Sequence, residues 1–294
     1  MIDIKDLQDF DVTDIGTWVQ YQSFSDKNQI KNQRDNLLYT GLKNASGDIC
    51  FIFTKDICRL NNELTLTARM INVVPTETVI EDEVYYTTKI EGARTTRIRT
   101  TELHNGAKID KDNAYSEYMV KNAFKASKML NLYGNRVSTD ILIKVWNELV
   151  HNCCDNDDIR GTRFRDGDIE VGGHTGANPK EIENLMEQWV EFYNSDILDK
   201  YPFIKAALLH FAFESIHPFC DGNGRMGRLL LNNYLIGRGV EATRAVSFSM
   251  FIDRRRTEYD AAFIQSENIY NDCTPLITYL LQTMYLAFDS ALNK

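Results

Sequence analysis

The chain has 294 residues, 43% hydrophobic and 26% charged, a balance that supports a globular core and excludes a disordered or low-complexity protein. Its formal charge of -9 argues against a general nucleic-acid binder, whose surface carries a basic surplus. The N-terminus has no signal-peptide apolar stretch and no apolar run is long enough to span a bilayer. The six scattered cysteines form no CxxC pair and read as reduced thiols, so a cytoplasmic protein with no membrane and no direct nucleic-acid partner is expected.

Few prolines and long amphipathic stretches predict a mainly α fold with a small mixed α/β N-terminal region over residues 1–75. A β-hairpin is expected where Asn36–Leu42 and Asp48–Thr54 flank the turn-like Asn44-Ala-Ser-Gly47. Helical patterns follow over Thr78 to about Arg94, Asn113–Asn131, and from Ser138 or Thr139 (either able to cap free N–H groups) to about Cys153. Arg163–Gly176 reads as strand-turn-strand around Asp166-Gly-Asp168. Pro179 opens another helix, in the first turn where its missing N–H costs little. Pro202–Ile216 is apolar enough to be a buried central helix, and further helices are expected over Arg225–Ile236, about Asp253–Glu267 and about Pro275–Leu292. These patterns divide the chain into 1–75, a helical segment at 76–105, and a helical core at 106–294.

The chemistry concentrates between two of these helices. Pro218 disfavours helical geometry in the residue before it, so the central helix ends at His217. Asp221-Gly-Asn-Gly224 then gives a loop whose glycines let a ligand approach the backbone, and the next helix begins with unpaired N–H groups that favour an anion. Arg225 and Arg228, three apart, add two guanidinium forks suited to a polyphosphate. Asp221 supplies a hard oxygen for Mg²⁺, which takes one or two protein carboxylates plus phosphate oxygens. His217 titrates near neutrality and can accept a proton from an incoming hydroxyl.

His217-Pro-Phe-Cys-Asp-Gly-Asn-Gly-Arg-Met-Gly-Arg228 resembles the full His-Pro-Phe-x-Asp-Gly-Asn-Gly-Arg-x-x-Arg motif of the Fic (filamentation induced by cAMP) family, matched at every fixed position. The resemblance covers about Val79 to the C-terminus. It implies a helical Fic-fold bundle with a β-hairpin flap, and transfer of AMP from ATP to a Ser, Thr or Tyr hydroxyl of a target protein, the chain itself included. By that resemblance His217 is the base, Asp221 holds Mg²⁺, and Gly222, Asn223 and Gly224 cradle phosphates. Arg225 and Arg228 bind the β and γ groups, and Phe219 anchors the loop in the core. The flap would run through Ile169, Glu170 and Val171 to about Thr175 and hold the target by adding a strand. Gly176-Ala177 replaces prolines frequent in the family, which leaves flap conformation and target preference open. Tyr259 is a candidate nucleobase contact or a core tyrosine, and Asn268 a weaker candidate. His210, two turns before His217, reads as structural.

Thr87-Thr-Lys-Ile-Glu91-Gly92 resembles the inhibitory Ser/Thr-x-x-x-Glu-Gly/Asn motif of the same family. A glutamate against Arg228 would occupy the guanidinium that should orient the γ-phosphate, with Thr87 supporting it from one turn earlier. Segment 76–105 is thus expected to be an inhibitory helix. Other outcomes on the same fold are transfer of another nucleotide, or removal of AMP with Glu91 positioning water, and a homodimer is left open. A different class comes from two Glu-x-x-His pairs, Glu148/His151 and Glu214/His217, the element of di-iron carboxylate bundles. Pro218 at the helix end, and glycines and arginines left without a role, weigh against it.

Overall fold

Eleven of the fifteen positions of Pro202–Ile216 are apolar, on every side of the helix, and such a helix is stable only where neighbours surround it. In the computed structural model, which describes residues 2–3, 37–73, 76–154, 164–171, 174–268 and 271–293, every residue from Phe203 to Ile216 is buried. In chain order the elements are β1 (Ile2–Asp3), β2 (Leu38–Asn44), β3 (Gly47–Phe51), α1 (Lys55–Met70), α2 (Glu77–Ile90), α3 (Arg97–His104), α4 (Ala114–Tyr133) and α5 (Thr139–Leu149). There follow β4 (Glu170–Val171), β5 (His174–Thr175), α6 (Pro179–Asn194), α7 (Pro202–Ile216), α8 (Asn223–Gly237), α9 (Phe248–Arg254), α10 (Arg256–Asn268) and α11 (Thr274–Leu292). The fold is mainly α, with α7 enclosed by α6, α8 and α11, and α2 laid across α9, α4 and α8.

Local chemistry explains the element starts. Ser138 caps α5 by accepting from the Ile141 N–H (3.3 Å), and Pro179 begins α6 behind the Asn178 cap. The expected hairpin forms: β2 pairs antiparallel with β3, Asn44 opposite Gly47, and β1 lies parallel to β2. Asn44 Nδ2 donates to Ser215 Oγ (3.1 Å) and to Asn271 Oδ1 (2.8 Å), tying the hairpin turn to the last turn of α7.

Three helices escape the sequence pattern. Residues Ile57, Leu60, Asn61 and Leu64 form the narrow buried stripe of α1, interrupted by a polar residue. Helix α3 carries eight residues with only Thr100 and Leu103 buried, too short and polar for a periodic signal. The helix expected at about Asp253–Glu267 forms as α10, and the short α9 before it is the third to escape, ending at Arg255, whose carbonyl accepts from Tyr259 N–H (3.0 Å) and whose guanidinium stacks over Tyr279 (4.9 Å).

The strand-turn-strand region also needs correction. The paired strands are β4 and β5, with Glu170 opposite Thr175 and Val171 opposite His174, so the hairpin is centred after Val171 rather than on Asp166-Gly-Asp168. The cause is Arg165. Its backbone N–H donates to Pro218 O (3.0 Å), and its buried guanidinium donates to the carbonyls of His217 (2.7 Å), Gly167 (2.6 Å) and Ala177 (2.5 Å). That anchorage fixes the segment before the hairpin to the end of α7. Arg163, the expected start, lies outside the described residues.

Phe219 is fully buried and lies flat on Trp146, ring centroids 4.6 Å apart and 4° from parallel. Phe219→Ala is expected to cost about 3–5 kcal/mol of stability, seen as a lower urea midpoint at unchanged slope.

Candidate active site

The end of α7 sets the geometry of His217. Its N–H still closes the helix onto Phe213 O (3.0 Å), but its backbone turns left-handed (φ 51, ψ 61), a conformation costly for a residue with a side chain. The Arg165 bonds just described, and Ala177 N–H donating to Ile216 O (3.1 Å), hold this turn from outside. His217 Nδ1 lies 3.2 Å from Glu214 O. A carbonyl only accepts, so Nδ1 carries the proton and the neutral ring keeps Nε2 as a proton acceptor. Burial lowers the pKa of His217 to about 4; the bond to Glu214 opposes the shift while nearby His174 and Arg165 add to it. At neutral pH the ring is therefore uncharged, the state a general base requires.

The loop after His217 is fixed by its own side chains. Asn223 Nδ2 donates to Phe219 O (2.7 Å) while Phe219 N–H donates to Asn223 Oδ1 (3.0 Å), a closed pair that spends the asparagine side chain on loop shape. Trp146 Nε1–H donates to Asp221 O (2.8 Å). Gly222, the N-cap of α8, sits at φ 78, where a side chain is disfavoured. Arg225 is buried and turns back on Asp221, its Nη2 3.3 Å from both carboxylate oxygens, with Nη1 3.4 Å from Leu149 O. The two arginines of the motif thus take different partners despite their spacing: Arg225 serves the loop and the end of α5, Arg228 faces α2.

Arg228 is buried and held by one stretch of α2. Its Nε donates to Thr87 Oγ1 (2.8 Å), and its Nη2 to Thr87 O (3.0 Å) and Glu91 Oε1 (2.6 Å). Thr87 therefore binds the arginine directly, where the sequence placed it as a support for Glu91. Partial burial raises the Glu91 carboxyl, but Arg228, with help from Arg225 and Arg256, outweighs that and holds it below its ordinary range. A Cβ on Gly224 would collide with Glu91 Oε1, so the carboxylate rests directly on the first turn of α8. Glu83 fastens the helix elsewhere by accepting from Asn232 Nδ2 (3.0 Å), Ser247 Oγ (2.8 Å) and Ser249 N–H (3.0 Å), and Lys89 pairs with Asp253 (2.7 Å).

Other expected residues are placed as follows. Tyr259 is buried with its hydroxyl 2.9 Å from His210 Nε2, so its polar end is taken by the core. Burial lowers His210 to about 3 and raises Glu214 to about 8, so the first is neutral and the second protonated at pH 7. Asn268 closes α10. In the flap, Gly176 N–H donates to Ile169 O (3.1 Å), and Glu170 is exposed. A Cβ at Gly176 would meet the Arg165 guanidinium, Ile169 and His217, which explains a glycine where the family often has proline. The di-iron alternative finds no support: Glu148 pairs with Lys125 (2.8 Å), and no group of three or more His, Cys, Asp or Glu among the described residues is placed to hold a metal. No helix among the described residues is long and apolar enough to cross a membrane.

Two residues near the site carried no sequence signal, Arg165 and His174. Neither sits at a motif spacing, and only the folded chain brings them to His217.

Residues 136–235, which include the end of α7, the loop and most of α8, match the Fic/DOC family. That segment is similar to a Fic domain. A protein adenylyltransferase Fic of Drosophila willistoni is 40% identical over 84 residues, which are 28% of this chain and 17% of that relative. The chain therefore matches less than a fifth of that protein's length. Among solved structures, a Fic family protein from Desulfovibrio desulfuricans G20 superposes with TM-score 0.73 at 21% identity, over 83% of this chain and 76% of its own. Fic-1 from C. elegans follows at TM-score 0.66 and 20% identity, over 81% and 72%. These likenesses extend the Fic fold well beyond residues 136–235.

The buried acid Glu214 makes a pH signature. Its folded pKa, about 8, lies above its ordinary 4.5, so the stability it contributes is present below 4.5 and lost as pH rises through 8. Glu214→Gln mimics the protonated acid without titrating, so its melting temperature relative to wild type should rise steadily from pH 5 to pH 8.5. A constant difference would contradict the assignment.

Proposed function

We propose that this chain transfers AMP from ATP to a Ser, Thr or Tyr hydroxyl of a protein, and that Glu91 holds the site in check through Arg228. One observation carries the reading: a neutral imidazole with a free Nε2 stands at the end of α7, one loop from a helix N-terminus whose anion seat, Gly224 and Arg228, is filled by a carboxylate. A site built for phosphate is occupied by the chain's own anion. The relatives named as protein adenylyltransferases support the same reaction.

In this reading the target hydroxyl oxygen attacks the α-phosphorus while its proton passes to His217 Nε2. The bond from the α-phosphorus to the bridging oxygen breaks, and its electron pair leaves with pyrophosphate. Backbone N–H groups of Asn223 and Gly224, and the Arg228 guanidinium once Glu91 leaves it, receive the phosphates, while the Gly222 N–H is held by Asp221 Oδ1 (2.5 Å). Arg225 acts from beneath by fixing Asp221. The Asp221 carboxylate, 32% exposed and shared only loosely with Arg225, is suited to hold Mg²⁺, which would neutralise phosphate charge. The two-residue strands of the flap leave an edge to which the acceptor segment can add. A cytoplasmic setting, with ATP and a protein acceptor that includes the chain itself, fits this chemistry.

Glu91 blocks by competition. Its carboxylate makes a charge-assisted bond of 2.6 Å to the Arg228 guanidinium that the γ-phosphate needs, so ATP is held unproductively. Glu91→Gly should raise self-labelling from [α-³²P]ATP with Mg²⁺ by roughly tenfold or more, and adding His217→Ala to it should abolish the label. Mass spectrometry should show an added AMP. Label that survives His217→Ala would refute the mechanism, and an unchanged Glu91→Gly would refute the brake.

A further inference from the structure

The flap carries a second histidine next to His217. His174 lies on β5, its ring centroid 6.0 Å from that of His217 and inclined by 52°. Its Nδ1 lies 2.8 Å from the Glu267 carboxylate on α10, and the edge of the ring meets Phe263, one turn earlier on the same helix, at 5.8 Å. Both partners are largely buried, at 13% and 14% exposure, so the contact is shielded rather than a loose surface pair. It bridges the flap and α10.

The other nitrogen is the unusual one. His174 Nε2 is buried and has no hydrogen-bond partner among the described residues. Buried polar atoms are nearly always partnered, and one left open beside a reacting group calls for something that arrives. The orientation follows from Glu267: a carboxylate accepts, so Nδ1 carries a hydrogen and Nε2 is the nitrogen left for an incoming group. Its natural complement is a hydroxyl of a segment laid against the flap, which can donate to a bare Nε2 or accept from a protonated one.

We propose that His174 is a target-binding residue: Glu267 orients its ring and ties the flap to α10, and Nε2 bonds to the hydroxyl-bearing acceptor segment as that segment docks beside His217. The proposal deepens the adenylylation reading and rests on it. The nucleotide has its own receivers in the start of α8 and Arg228, whereas the described residues otherwise offer the acceptor mainly the backbone edge of the flap. A residue on that flap is well placed to select the acceptor, so its loss should weaken transfer without weakening ATP binding.

Asparagine separates the two nitrogens, since its amide reaches about as far as Nδ1 and can keep the bond to Glu267, but has nothing at Nε2. In the Glu91→Gly background, His174→Asn should cut the rate of self-labelling from [α-³²P]ATP by roughly tenfold, with ATP affinity unchanged within about twofold and the melting transition intact. His174→Ala, lacking both nitrogens, should be no more active than His174→Asn. Equal labelling by His174→Asn and its parent, with a loss only in His174→Ala, would reduce His174 to a brace for the flap and overturn the proposal. A parallel fall in ATP affinity would assign it to the nucleotide and overturn it equally. Absence of label in the Glu91→Gly parent would sink the adenylylation reading itself and this proposal with it, whereas a labelled parent with a fully active His174→Asn sinks this one alone.

Discussion

A buried guanidinium cannot be left without acceptors. Arg228 is 4% exposed, and removing such a charge from water is costly unless a partner offsets it. The fold meets that demand with Thr87 and Glu91, and in doing so recruits α2, a helix otherwise packed on α9 and α4, onto the first turn of α8. In the proposed reading the γ-phosphate satisfies the same demand. The cation is constant; the two states differ in which anion answers it. Thr87 binds Arg228 through both its hydroxyl and its carbonyl and so orients the guanidinium toward Glu91.

The other end of the site depends on backbone rather than charge. Pro218 ends α7, and the left-handed turn at His217 is held by Arg165, whose guanidinium gathers carbonyls from His217, Gly167 and Ala177. One buried side chain thus joins the base, the segment before the flap and the segment after it. Gly176 packs into the same junction, where no side chain fits. The base and the flap are coupled mechanically before any substrate is considered.

Much of this was legible because the motif is local. His217 through Arg228 lie on one helix end, one loop and one helix start, so proline and glycine rules alone place them. The inhibitory contact was legible through resemblance, since nothing in residues 87–91 by itself says which helix they meet. Residues whose role is created by tertiary contact stayed hidden. Arg165 and His174 have no periodic neighbours, and Thr87 was assigned to the wrong partner because spacing along one helix says nothing of an arginine on another. The hairpin turn was misplaced for a related reason: Asp166-Gly-Asp168 has good turn composition, but Arg165 anchors that stretch elsewhere. Tyr259 was left between nucleotide and core, and its hydroxyl on His210 shows what the core takes from it.

Glu91 and Arg228 are 137 residues apart, with the glutamate first. During synthesis the helix that bears Glu91 leaves the ribosome well before the loop and the arginine it will cover. Its anchor groups, Glu83 and Lys89, are also made before their partners at Asn232, Ser247 and Asp253. The nucleotide seat at 222–228 is made after Glu91 and before those anchoring partners. In the proposed reading the anion that covers the seat exists before the seat does, and the contacts that fasten it in place come last.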